Sequence, residues 1–126
     1  MIRLVYYLLL KPLSLLPLRA LFILSDFLYL ILYKLLRYRI KVVDSNLKNS
    51  FPQLSQIERN VIRDKFYHHL FDIVVESIKI FSITAEEAKS RFVVVNPEIL
   101  DEFYDEGRSV IIVGGHYNNW EMLAVG

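Results

Sequence analysis

RFVVVNPEILDEFYDEGRSVIIVGGHYNNWE, residues 91–121, is the stretch on which the expected fold turns. Within it, FVVV (92–95) and VIIV (110–113) are continuous β-branched apolar runs, the pattern of strands buried on both faces. Between them PEILDEFYDEG (97–107) reads as a helix. Asn96 is a possible N-cap, Pro97 suits the first turn, and Gly107 is a terminator. Ile99, Leu100, Phe103 and Tyr104 form its apolar side, which leaves the acids of DEFYDE (101–106) on the exposed side. Strand, helix and strand at that spacing predict a βαβ unit, the start of a mostly parallel sheet. Two strands do not complete such a sheet, so the expectation is the N-terminal portion of a larger α/β protein, incomplete at Gly126.

Upstream the pattern changes to helices. Pro52 ends whatever VVDSNLKNSFP (42–52) forms. Ser55 and Glu58 have the Ser-x-x-Glu spacing of a capping box. Ile57, Val61, Ile62, Phe66, Leu70, Ile73, Val74, Ile78 and Phe81 then recur at three- and four-residue steps, predicting one long amphipathic helix to about Phe81. Thr84 and Glu87 repeat the capping form ahead of a short helix. His68, His69, Asp72 and Glu76 on the long helix read as ordinary surface neighbours: adjacent histidines point about 100° apart, and no third ligand accompanies them.

Composition narrows the class further. The 126 residues are 54% hydrophobic and 23% charged, which excludes a disordered or low-complexity chain. There is no cysteine, so a disulfide framework, a thiolate nucleophile and a cysteine-ligated metal are excluded. The net charge of +1 hides an asymmetry. Residues 1–43 hold seven Lys/Arg against the single acid Asp26, whereas residues 44–126 hold eight Lys/Arg against thirteen acids. The basic part is also the most apolar part, which points to a membrane and away from nucleic acid. Residues 13–33 have the length of a spanning helix but contain Arg19 and Asp26. Two arrangements stay open, a tilted transmembrane helix and a helix lying in the interface with snorkelling cations. KLLRYRIK (34–41) follows, and Lys34, Arg37, Arg39 and Lys41 are candidates for the membrane surface. Each such cation is worth about 1 kcal/mol near anionic headgroups; the plainer alternative is a solvated helix end. The positive-inside bias places the rest of the chain in the cytoplasm. Tyr6, Tyr7, Tyr29, Tyr33 and Tyr38 suit either an aromatic belt or simple packing. Residues 1–43 are thus expected to be an anchor with a basic flank, and residues 44–126 the α/β domain.

GGHYNNWE (114–121) falls directly after VIIV, at the carboxyl end of an expected strand, where open parallel sheets carry their chemistry. Asn118 or Asn119 can cap a helix beginning near Trp120. His116 and Glu121 pair only if the histidine sits on the loop and the glutamate in the first helical turn. A neutral imidazole so placed takes a proton from an alcohol, and the carboxylate fixes its tautomer. The activated oxygen then attacks a thioester carbonyl. The spacing alone equally fits a loop histidine beside an N-terminal helix carboxylate.

GGHYNNWE, together with RYRIKVVDSNLKNSFPQLS (37–55), resembles the bacterial lipid A biosynthesis acyltransferases of the lauroyl/myristoyl type, over essentially the whole chain. The resemblance implies a membrane-associated acyltransferase that moves a fatty acyl chain, usually from acyl carrier protein, to a hydroxyl of a lipid A precursor at the cytoplasmic face of the inner membrane. It implies His116 as catalytic base, Glu121 as its partner, Asn119 and Trp120 shaping the substrate site, and no metal or cofactor. Family members are more than twice this length, so these 126 residues alone are expected to be inactive. Two alternatives remain: another glycolipid or lipid as acceptor, and a non-catalytic membrane-anchored fragment.

Overall fold

The computed structural model describes residues 2–91, 95–111, 113–115 and 117–123. They form seven helical segments: α1 (Ile2–Ser14), α2 (Leu18–Leu35), α3 (Ile40–Ser50), α4 (Gln56–Lys79), α5 (Ala85–Arg91), α6 (Glu98–Asp105) and α7 (Trp120–Leu123). The chain divides into two compact units, Met1–Ser82 and Ile83–Gly126.

In the first unit α4 is the organising element. Its start follows from sequence: the Ser55 hydroxyl accepts from the Glu58 amide, and the Glu58 carboxylate accepts from the Ser55 amide at 2.7 Å, closing the capping box. Helices α2 and α3 pack along α4. Tyr33, Tyr67 and Phe71 make the core between them, backed by Leu28, Leu32, Ile40 and Val43. Tyr33 and Tyr67 stack with ring centroids 4.3 Å apart. Of the five tyrosines open to either role, Tyr33 is therefore packing, while Tyr7 and Tyr38 are exposed.

Two prolines shape the N-terminal segment. Pro12 has no amide to donate, and the turns before it, Tyr6–Leu10, widen to π-helical form, with the Lys11 amide reaching back to the Tyr6 carbonyl. Pro17 takes an extended backbone at the start of α2, and α1 and α2 meet at 115°. The bend leaves α1 carbonyls without helical partners, and the far end of α4 supplies donors. Lys79 Nζ donates to the Ser14 and Leu16 carbonyls at 3.1 Å each, and the Ser82 hydroxyl donates to Ser14. Lys11 Nζ in turn donates to the Phe81 carbonyl at 3.2 Å. No single helix among the described residues is long and apolar enough to cross a membrane; α1 and α2 meet that requirement only as a bent pair. Of the two arrangements left open for residues 13–33, the single tilted spanning helix is corrected to two helices broken at Pro17.

The second unit corrects the expected fold class. No strand occurs among the described residues, so the α/β reading and its βαβ start are replaced by a helical fold. Val95 is in a bend, and Val110, Ile111 and Val113 have no regular partner; Val95 and Val113 are 77% and 90% exposed. Residues 92–94 and 112 lie outside the described residues. The physical reason is that an apolar β-branched run becomes a strand only when another backbone completes its hydrogen bonds. Val95, Val110, Ile111 and Val113 form no such ladder among the described residues. The intervening helix is present as α6, but Asn96 is not its cap: Pro97 holds that position, and Asn96 is left-handed at φ 61°. Gly107 closes α6 at φ 66°, its amide on the Tyr104 carbonyl and the Arg108 amide on Phe103. Helix α5 opens with the Thr84 hydroxyl accepting from the Glu87 amide at 3.1 Å. It packs against α7, and Ala88 and Met122 are buried.

Candidate functional site

The GGHYNNWE segment is built around a helix start. Asn119 caps α7: its side-chain oxygen accepts from the Met122 amide at 3.2 Å, and its carbonyl accepts from the same amide. Asn118 is left-handed at φ 56°, a conformation asparagine tolerates better than most residues and one that turns the loop into the helix. Glu121 falls in the first turn of α7 and is exposed; Trp120 is partly exposed at 45%. His116 lies outside the described residues, so its pairing with Glu121 does too. Among the described residues, a Cβ on Gly114 or Gly115 would meet nothing within 4 Å.

The basic segment 34–41 is a tightly held turn. Helix α2 ends in π-helical turns (Tyr29–Leu35), with the Leu36 amide on the Ile31 carbonyl at 2.8 Å and the Tyr38 amide on Leu32 at 2.8 Å. Arg37 and Arg39 are both left-handed, φ 52° each. Arg37 occupies a helix-stop position that normally takes glycine, and Arg39 is the N-cap of α3, a position that favours Ser, Thr, Asp or Asn. A left-handed conformation costs a non-glycine residue roughly 1–2 kcal/mol. Tyr38, between them, is fixed at both backbone groups, because the buried Tyr67 hydroxyl donates to its carbonyl.

Behind the turn lies a polar network. Asp64 accepts from the Tyr33 hydroxyl and from Lys34 Nζ at 3.3 Å. Those two donors, Tyr33 first, hold its carboxyl below the ordinary 3.8. Arg63 donates to Tyr33 Oη at 3.1 Å and to Asp44 at 2.7 Å. Burial works against its charge, but these two hydrogen bonds outweigh it and raise its pKa. A cavity of about 440 Å³ is lined by Lys34, Arg37, Asn60, Arg63 and Asp64, and another of about 490 Å³ by Arg37, Arg39, Lys41 and Asp44.

The family model for bacterial lipid A biosynthesis acyltransferases matches residues 1–125. The chain belongs to that family. No curated protein and no solved structure matches it.

For this member of the lipid A biosynthesis acyltransferases, the sequence reading missed several side-chain partners that the fold brings together. Asp64 meets Tyr33 and Lys34 across 31 and 30 residues, and Arg63 meets Tyr33 and Asp44 across 30 and 19. Ser25, fully buried, donates to Asp72 at 2.7 Å, and His68 lies 3.2 Å from Asp26 and 3.5 Å from Asp72. His68 and Asp72 are thus helix-surface neighbours that also tie α4 to α2. Only the i,i+4 half of that arrangement leaves a trace in sequence.

Proposed function

We propose that this chain takes part in acyl transfer from a thioester, with acyl carrier protein as donor, to a hydroxyl of a lipid A precursor at the cytoplasmic face of the inner membrane. The observation that carries the proposal is the family match over residues 1–125, which includes the His-x-x-x-x-Glu segment. His116 takes the proton from the acceptor hydroxyl as that oxygen attacks the thioester carbonyl. The tetrahedral intermediate collapses, the carbon–sulfur bond breaks, and the imidazolium returns the proton to the leaving thiolate. Glu121 orients the imidazole and stabilises its charged form; a carboxylate in the first turn of α7 suits that role. Asn119 holds the helix start, and Trp120, partly exposed beside it, offers an apolar surface to the acyl chain or acceptor.

Residues 1–43 serve as the membrane anchor and residues 44–126 as the catalytic region. Ile2, Leu4, Leu8, Ile23, Phe27 and Leu30 on α1 and α2 are exposed, an apolar surface that water would not favour. Lys34, Arg37, Arg39 and Lys41 face the headgroups. The test is acyl transfer by the gene product carrying these residues, with His116→Ala beside the parent. Loss of a general base lowers turnover by about 10²–10⁴-fold. Unchanged transfer, or acylation confined to acceptors other than lipid A precursors, refutes the proposal.

A further inference from the structure

The turn between α2 and α3 gathers more positive charge than the fold neutralises. Lys34 is matched by Asp64 and Arg63 by Asp44, yet no carboxylate among the described residues lies within ion-pair distance of Arg37, Arg39 or Lys41. Helix stability does not explain the last two, because Arg39 and Lys41 stand at the positive end of α3, where cations are unfavourable. The two cavities described above share Arg37 and Ile40 in their linings. Leu35 and Leu36, 74% and 63% exposed, directly precede Arg37. Exposed leucines joined to unmatched arginines fit an interface, with acyl chains against the leucines and phosphate at the arginines.

We infer that this turn seats the phosphate of a lipid headgroup and takes a phosphomonoester in preference to a phosphodiester. Two planar guanidiniums and an ammonium complement a dianion presenting three oxygens better than a monoanion presenting two. The held backbone of Tyr38 keeps the two arginines in place before the lipid arrives. The inference deepens the membrane reading of residues 1–43 and rests on it.

Dioctanoyl phosphatidic acid, dioctanoyl phosphatidylglycerol and inorganic phosphate are titrated separately into the protein in neutral detergent, with heat as the readout. Phosphatidic acid is expected to bind about tenfold or more tightly than phosphatidylglycerol, and inorganic phosphate more weakly than phosphatidic acid. Arg37→Lys with Arg39→Lys keeps the charge and is expected to abolish the preference. Arg37→Gly with Arg39→Gly suits the left-handed backbone, so that variant folds and does not bind phosphatidic acid. Equal binding of the two lipids, or a preference that survives the lysine pair, overturns the inference in favour of diffuse attraction. Inorganic phosphate binding as tightly as phosphatidic acid overturns the lipid as source. Flotation with phosphatidylcholine vesicles reads the anchor separately. Protein that floats but shows no lipid preference fails this inference alone, and protein that does not float fails both.

Discussion

Tyr67→Phe removes one oxygen from the centre of the first unit and leaves the rest of the packing in place. The ring stays, and with it the 4.3 Å stack on Tyr33 and the contact with Phe71. What disappears is the donor to the Tyr38 carbonyl, at a residue that is itself only 1% exposed. A net hydrogen bond of this kind contributes about 0.5–1.5 kcal/mol. Tyr38 is half exposed, so water replaces part of what is lost and the expected cost is about 1 kcal/mol. For a unit the size of Met1–Ser82 that lowers the melting temperature by roughly 4–8 °C. Tyr67→Ala, which removes the ring as well, should cost about 3–5 kcal/mol. Circular dichroism at the helix wavelengths during heating in detergent gives both values, and hydrogen exchange should quicken at the Tyr38 amide in the Phe variant. A Phe variant that melts with the parent, or falls as far as the Ala variant, refutes the account of a turn pinned by that hydroxyl.

The other expectations concern the ends and the charges. Lys79→Met leaves the Ser14 and Leu16 carbonyls without their ammonium donor and should lower stability by about 1–3 kcal/mol; an unchanged melting temperature rules out the capping role. Asp64 has a folded pKa below its ordinary 3.8, so its contribution is complete above that value and is lost as the pH falls through the lower one. Asp64→Asn should therefore flatten the acid limb of melting temperature against pH, and a limb of undiminished slope contradicts the Tyr33–Asp64–Lys34 network.

The helices were legible wherever the signal was local. The Ser55–Glu58 capping box, the 3.6-residue period of α4 and the Asn119 cap each lie within a few residues, and each element stands where those residues put it. The absence of strands among the described residues was not legible, because FVVV and VIIV carry β propensity without showing whether the partner a strand requires is there. The break in the apolar segment was encoded in Pro12 and Pro17, but counting apolar residues over 13–33 overrode it. In the basic segment the sequence showed charge. It could not show that Arg37 and Arg39 take a backbone that glycine would hold at less cost, nor that the Tyr38 carbonyl between them is held by Tyr67, 29 residues away.

The reciprocal capping between α1 and the end of α4 sets an order of events during synthesis. The Ser14 carbonyl waits for Lys79, 65 residues later. At about 5–20 residues per second the ribosome needs roughly 3–13 s to make that stretch. Throughout that interval the apolar N-terminal helices exist without the lysine and serine that close their bend. Whatever receives them first, bilayer or chaperone, meets α1 with an open end, and the bend is locked only after α4 has been completed.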